Sequence, residues 1–172
     1  VQTWRGEVES DNLNKLALAT ELDARAISVL RAYTRYFKQL GFAFSQSYIE
    51  DALIRNAAIA QDIMRLFHTR FDPALRGDRE AMQTELQQAL EASLANVSSL
   101  DDDRILRQFF ASILATARTN AWQQLATGQH KPYISFKLKP RKLPGVPEPK
   151  PAFEIWVYSP RVEGVHLRGG KV

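Results

Sequence analysis

A chain of 172 residues with 45% hydrophobic and 24% charged side chains has the composition of an ordinary globular protein, and it is long enough to bury a core. It contains no cysteine, which excludes disulfides, thiolate metal sites and a catalytic thiol and favours a cytoplasmic protein. We find no apolar stretch near the roughly 20 residues that a membrane span needs and no secretory signal, so no membrane partner is expected.

The net charge of +4 is unevenly distributed along the chain. From Lys131 onward there are nine Lys and Arg against three Glu, whereas the first 130 residues hold fourteen basic and sixteen acidic side chains. A basic run of this kind fits a solvated strand edge, because lysines at edges discourage strand addition. An anionic ligand, such as a dicarboxylate, and nucleic acid are the alternative partners.

Helical periodicity dominates the first part of the chain. Apolar residues recur at three- and four-residue steps, and Asp, Ser and Asn stand at the starts of the repeats, where side-chain caps are favoured. Asp11, Asp23 and Asn56 are predicted caps, with Ser45 or Ser47 before the third helix. The pattern predicts four helices, at Leu13–Leu22, Ala24–Leu40, Tyr48–Arg55 and Ala57–Phe71.

Two further helices are predicted, over Asp78–Asn96 and Asp102–Leu125, with a break at Val97-Ser98-Ser99 between them. The second is capped by Ser99 or Asp101 and carries three consecutive aspartates at its start. Carboxylates in a first helical turn interact favourably with the helix dipole, and no histidine accompanies them. We therefore interpret them as helix-start residues and not as a metal site.

Strand signals replace helical ones after residue 128. Seven of the eight prolines lie between Pro132 and Pro160, and Tyr133–Leu138 and Phe153–Tyr158 alternate with the two-residue period of a strand. Gly164–Leu167 is predicted as a third, shorter strand. We expect the first two strands to present exposed edges through which the chain could self-associate.

These elements predict an α+β fold. We expect a mostly helical N-terminal bundle of five or six helices, followed by a small, antiparallel C-terminal sheet of two to three strands. The predicted division is a helical domain over residues 1–127 and a β segment over residues 128–172.

The candidate site lies at the end of the chain, in Arg168-Gly169-Gly170-Lys171. Two adjacent glycines allow a ligand to approach the backbone closely, and the flanking cations suit an anion. His166 precedes this turn in the last predicted strand. A solvated turn is the competing interpretation.

Other chemistry is not indicated by the sequence. The three histidines are too far apart for a zinc site, so no metal is expected. There is no P-loop, nucleophile elbow or glycine fingerprint for a dinucleotide. We therefore expect no catalytic residue and no cofactor-binding residue in this chain.

Several segments carry a family resemblance. They are FEIWVYS and PRVEGVHLRGGKV near the end, Leu30–Asn56, Ser99–Phe110 and Lys131–Leu138, and the likeness thins out between residues 77 and 96. In these segments the chain resembles the large NAD-specific glutamate dehydrogenases of bacteria.

The resemblance implies a parent enzyme of amino-acid catabolism that oxidises L-glutamate to 2-oxoglutarate and ammonium with NAD and forms a homo-oligomer. In that family the sequence after GGKV runs on as ARGGLRWSDR, the start of the substrate-binding segment. The resemblance thus implies that catalytic and NAD-binding residues lie outside this chain, which would be structural and inactive by itself. Arg168, Gly169, Gly170, Lys171 and His166 would lie at the rim of the substrate site, and the rest of the catalytic domain would be a partner.

A helix-turn-helix module that binds nucleic acid, or a regulatory interaction module, is the alternative function. Ser45–Phe71 forms two short helices joined at Asn56, as in such a motif. However, the second helix starts with Ala57-Ala-Ile-Ala-Gln and carries only two arginines, whereas recognition helices expose donors near their start. We therefore expect no nucleic-acid partner.

Overall fold

The computed structural model describes residues 11–169, in which a layer of helices packs on one face of a four-stranded sheet. A 3-10 helix, Asn12–Lys15, leads into six α-helices: α1 Leu16–Ala19, α2 Ala24–Gln39, α3 Gln46–Arg55, α4 Ala57–Phe71, α5 Arg79–Ala95 and α6 Leu100–Ala115. The strands are β1 Thr116–Thr119, β2 Ile134–Leu138, β3 Phe153–Tyr158 and β4 Glu163–Arg168.

The predicted α+β order, with six helices before an antiparallel sheet, is confirmed. The sheet is a meander in the order β1-β2-β3-β4, and all three pairings are antiparallel. It has four strands, so the prediction of two to three was too low.

The missed strand is β1, because α6 ends at Ala115 and not at Leu125 as predicted. Thr116 ends the helix: its hydroxyl donates to the Ser112 carbonyl at 2.8 Å and lies 2.7 Å from the Tyr33 hydroxyl. Arg70 donates to the Thr116 carbonyl at 3.3 Å, which satisfies a group at the helix end. These partners come from α2 and α4, so local periodicity could not indicate them.

The capping predictions have mixed outcomes. Asp23 accepts from the Ala26 amide at 2.7 Å, and Ser45 and Ser99 cap α3 and α6 as proposed. Asp11 stands before the 3-10 helix, but its carboxylate accepts instead from Arg31 Nη2 at 2.8 Å. Asn56 also makes no side-chain cap. Asp11 and Asn56, which the sequence predicts as caps, instead make tertiary contacts with Arg31 and Asp102.

The core lies between α2 and the inner face of the sheet. On β2 the apolar alternation is confirmed, since Ile134, Phe136 and Leu138 are buried. The ring of Phe136 stacks on Tyr33 with centroids 4.1 Å apart. From β3, Trp156 Nε1 donates to the Ala32 carbonyl at 2.9 Å, which joins the sheet to the middle of α2.

A buried carboxylate accompanies Trp156 on the inner face. Glu154 is buried and accepts a hydrogen bond from the Tyr36 hydroxyl. Burial, and then this hydrogen bond to Glu154, raise the pKa of Tyr36 well above its usual range. Tyr36 therefore remains a hydrogen-bond donor, and Glu154 is satisfied without leaving the core.

The expected exposed edges were assigned to the wrong strands. β2 lies between β1 and β3, and β3 lies between β2 and β4, so neither presents an edge. The edges are β1 and β4, and five of the six residues of β4 are exposed. Any association through strand addition would therefore use β1 or β4. None of the described helices is both long and apolar enough to cross a membrane.

Asp102, at the start of α6, makes the stability of the chain depend on pH. It is 5% exposed and accepts from Arg55 Nη2 at 2.6 Å and Asn56 Nδ2 at 2.9 Å. The Arg55 hydrogen bond, then that of Asn56, hold the pKa of Asp102 below its usual range despite burial. A carboxyl group whose pKa is lower in the folded chain than in the unfolded chain stabilises the fold at pH values above its unfolded-state pKa. This stabilisation is lost as the pH falls through its folded-state pKa.

We expect acidification from about pH 5 to below the folded pKa of Asp102, which lies under the unfolded aspartate value of about 4, to remove about 1–2 kcal/mol through this group. The free energy of unfolding of the Asp102→Asn variant, measured in urea across this range, should be lower at neutral pH and less dependent on pH than that of the parent chain. Asp101→Asn, which neutralises the neighbouring aspartate, is the control. Equal pH profiles for the Asp102 variant and the unsubstituted chain would contradict this role.

Candidate functional site

The predicted site residues lie on and after β4, the last strand of the sheet. His166 pairs with Ile155 and Arg168 pairs with Phe153, so both side chains lie on the face of the sheet turned away from the helices. They are two residues apart, about 7 Å along the strand, and both are exposed. Gly169 follows and is exposed, and Gly170 and Lys171 lie outside the described residues. The structure thus brings His166 and Arg168 together on one surface.

This surface, the outer sheet face, combines an apolar row with cations. The row is Phe153, Ile155 and Val157 of β3, and all three are half-buried. In the pairing register Ile155 lies between two basic side chains. Lys137 of β2 is its neighbour on one side, and His166 of β4 is its neighbour on the other. The full set of side chains on this face is Arg118, Ser135, Lys137, Phe153, Ile155, Val157, His166 and Arg168.

The electrostatics of the outer sheet face favour anions. It carries Arg118, Lys137 and Arg168, and within residues 11–169 no carboxylate shares this face. The Lys137 ammonium lies 4.0 Å from the Phe153 ring centroid, a cation–π distance that fixes its position over the apolar row. The acidic residue of β4, Glu163, pairs with Tyr158 and forms an ion pair with Arg35 at 3.3 Å, on the helix side.

Arg118, Lys137 and Phe153 are residues of this face that the sequence did not single out, and Arg118 lay inside the predicted helix Asp102–Leu125. Alternation placed Lys137 with Tyr133 and Ser135, and Phe153 with Ile155 and Val157, on one side of each strand. Joining these sides into one surface requires the register Lys137↔Ile155. That register is set across a proline-rich loop whose length gives no fixed pairing.

The arrangement of charges on the outer sheet face suits an anion. Among the described residues no group of three histidines, cysteines or carboxylates is placed to hold a metal ion. In the described part of β4 and β3, His166 and Arg168 have no nucleophile or carboxylate beside them on this face. What the face offers is positive charge on both sides of an apolar row.

The matches to known families cover most of the chain. The family model described as "Bacterial NAD-glutamate dehydrogenase, catalytic domain" matches residues 89–172, which include α6 and the four strands. A second, "Glutamate dehydrogenase, helical motif 3", matches residues 8–73. The helix-turn-helix alternative finds no support in these matches, and α4, its proposed recognition helix, buries Ile63, Leu66 and Phe67.

Three relatives agree with these family models. Proteins named NAD-specific glutamate dehydrogenase are 46% identical to this chain in Halomonas elongata, 48% in Pseudomonas aeruginosa and 40% in Mycobacterium tuberculosis. The alignments cover 98%, 97% and 98% of this chain respectively, and 10% of each relative. The chain therefore spans about a tenth of the length of the curated relatives it matches. With both matched models and all three relatives in one family, the chain belongs to the bacterial NAD-specific glutamate dehydrogenases.

Proposed function

We propose that this chain works as part of a longer enzyme that oxidises L-glutamate to 2-oxoglutarate and ammonium with NAD in the cytoplasm. The observation that carries the proposal is the match of residues 89–172 to the catalytic domain of that family. The chain supplies a helical layer and the sheet that it supports, and it is not catalytic by itself. NAD is held by other parts of the enzyme, since a dinucleotide needs a glycine-rich strand–helix turn that this sequence lacks.

We also propose that the end of β4 forms part of the rim of the glutamate site. Glutamate carries two carboxylates, and cations fixed before binding orient such a substrate without further reorganisation. Arg168 and His166 extend from a paired strand, which limits their freedom, and no acidic side chain shares their face within the described residues. Gly169, Gly170 and Lys171 complete the rim in this proposal.

The outer sheet face is the proposed contact with the rest of the catalytic domain. Phe153, Ile155 and Val157 are half-buried, and covering their apolar surface would contribute about 25 cal/mol of favourable free energy for each Å² removed from water. The cations beside the row favour a partner with carboxylates at matching positions. The helical region, residues 1–127 in the predicted division, is proposed to contact neighbouring subunits of a homo-oligomer.

The proposed activity is tested with the full-length enzyme that contains this chain. We expect NADH to form from NAD⁺ when L-glutamate is added, with much slower reduction of NADP⁺. The 172-residue chain assayed alone at the same concentration is the matched control and should form no NADH. Absence of glutamate-dependent NADH formation by the full-length enzyme would overturn the activity, and turnover by the chain alone would overturn its structural role.

Replacing Ile155 with aspartate tests the outer sheet face. In the 172-residue chain we expect a loss of no more than about 1 kcal/mol in unfolding free energy, since Ile155 is only half-buried. In the full-length enzyme the same change puts a carboxylate, which is costly to remove from water, where the proposed contact buries an apolar side chain, so activity should fall at least about tenfold. Urea unfolding of the chain and NADH formation by the enzyme are the two measurements.

Val162→Asp is the control for this variant, because Val162 is 65% exposed in the turn between β3 and β4 and lies off the outer sheet face. It should leave both measurements near those of the unsubstituted protein. A full-length enzyme that keeps its activity with Ile155→Asp would show that the outer sheet face is solvated.

A further inference from the structure

A cleft lies at the opposite end of the sheet from the proposed glutamate rim. Its volume is about 730 Å³, and it opens to solvent between the start of α2, the turn around Gly128 and the turn between β3 and β4. Arg168 pairs with Phe153 at one end of β3, whereas the cleft reaches Tyr158 at the other end. Five residues of strand separate the two ends, about 17 Å.

The cleft, which we call the cationic cleft, is lined by basic and neutral residues. Arg25, Lys131 and Arg161 come from three different segments, and Arg31, His130 and Tyr133 also line the cleft. No aspartate or glutamate is among its described lining residues. Arg31 is ion-paired with Asp11, whereas the other three cations have no carboxylate within 4.0 Å in the described part of the chain. These three create a local positive potential, which concentrates anions.

Arg25 is held in place by neutral acceptors. Its Nε donates to the Ala121 carbonyl at 3.0 Å, and its Nη1 donates to the Lys131 carbonyl at 3.1 Å. Its Nη2 is buried and has no hydrogen-bond acceptor in the described part of the chain. Burial lowers the pKa of Arg25, an effect that Asp23 opposes, while the Asp23 carboxylate itself caps α2. An arginine fixed by carbonyls is positioned before a ligand arrives and keeps its charge available.

Lys131 and Arg161 also form no ion pair with an acidic side chain in the described part of the chain. The Lys131 ammonium donates to the neutral side chain of Gln123 at 2.9 Å and lies 5.9 Å from the centre of the Tyr133 ring. Within residues 11–169, no carboxylate lies within 4.0 Å of either cation. Arg161 is exposed at the mouth of the cleft, so its side chain can reach a ligand without breaking an existing ion pair.

We propose that the cationic cleft binds an organic anion of mononucleotide size. The phosphate lies among Arg25, Lys131 and Arg161, and the planar base lies against Tyr133, which is 36% exposed, and Pro132. A volume of about 730 Å³ is within the range of small-molecule sites and far larger than phosphate alone requires. This site is independent of glutamate oxidation and goes beyond the proposed function.

Isothermal titration of the 172-residue chain with adenosine monophosphate tests the proposal, with inorganic phosphate and adenosine as separate arms. We expect saturable binding of the nucleotide, at least about tenfold tighter than either phosphate or adenosine, because only the nucleotide uses both the cations and the aromatic wall. Binding should weaken as salt is raised, since screening reduces the attraction.

Lys131→Ala and Arg161→Ala should each weaken nucleotide binding about tenfold, the effect of one lost charged hydrogen bond. Lys142→Ala, which removes an exposed cation outside the cleft, is the matched control and should bind as the unsubstituted chain does. Thermal unfolding of each variant shows that the fold is kept. Absence of saturable binding would overturn the site, and so would variants of Lys131 and Arg161 that bind the nucleotide as tightly as the unsubstituted chain. Equal affinities for phosphate and for the nucleotide would overturn the nucleotide class.

Discussion

Trp156→Ala is expected to lower the free energy of unfolding of this chain by about 4 kcal/mol, within the usual range for removing a buried aromatic side chain. Trp156 is 1% exposed and lies at the middle of β3, between the sheet and α2. Its ring centroid lies 5.7 Å from that of Tyr36, and its indole nitrogen donates to the Ala32 carbonyl at 2.9 Å. Alanine would leave a cavity where the two layers meet, and rigid packing would close it only in part.

Val157→Ala is the matched control, since Val157 is the next residue of the same strand and lies on the half-buried outer face. It should lower stability by about 1 kcal/mol or less. Urea unfolding followed by far-ultraviolet circular dichroism measures both variants without depending on the fluorescence of the remaining tryptophans. If the two variants lose equal stability, Trp156 does not join the layers. Trp156→Phe, which keeps most of the packing, should fall between them.

Helices α2 and α4 could be predicted from the sequence because each carries its own period. The predicted helix Leu13–Leu22 is instead a 3-10 helix, Asn12–Lys15, followed by the four residues of α1. In α2 and α4 the apolar stripes Ile27, Leu30 and Phe37, and Ile63, Leu66 and Phe67, are all buried as their spacing requires. The end of α6 could not be predicted, because Thr116 is fixed by Tyr33 and Arg70 from distant helices. Tertiary contacts overrode a helical pattern that continued in the sequence.

The inner face of β3 shows a second limit of sequence patterns. Its two sides, Phe153-Ile155-Val157 and Glu154-Trp156-Tyr158, each carry large apolar groups, so alternation alone does not say which side faces the helices. In the structure the second side faces the helices, and its polar atoms have partners there. Glu154 and Trp156 find buried partners in Tyr36 and the Ala32 carbonyl, whereas the first side has no polar group that needs one.

The candidate site was predictable only within one strand. His166 and Arg168 are two residues apart, so a strand places them on one face whatever it pairs with. Lys137 joins them through the pairing register, and the cationic cleft joins Arg25, Lys131 and Arg161 across more than a hundred residues. Surfaces built from distant segments depend on tertiary packing, which the spacing of residues within one segment does not indicate.

In the full-length enzyme, Arg168→Ala and Lys171→Ala are each expected to raise the KM for L-glutamate at least about tenfold, with the KM for NAD⁺ unchanged. One charged hydrogen bond to a carboxylate contributes about 1.5–3 kcal/mol, which corresponds to a factor of ten or more in affinity. Loss of a contact made equally in the ground state and the transition state raises KM and leaves kcat unaltered. Initial rates of NADH formation across glutamate concentrations measure both constants.

Arg141→Ala is the control for these variants, because Arg141 is an exposed cation in the 3-10 helix Pro140–Lys142, away from β4. It removes the same charge and should leave both KM values unchanged, which separates a local contact from a general loss of positive potential. If Arg168→Ala and Lys171→Ala behave like this control, the end of β4 is a solvated turn and the chain contributes architecture alone. If they instead lose activity together with the oligomer, β4 lies at a subunit contact, since a rim residue can weaken substrate binding without loosening the assembly.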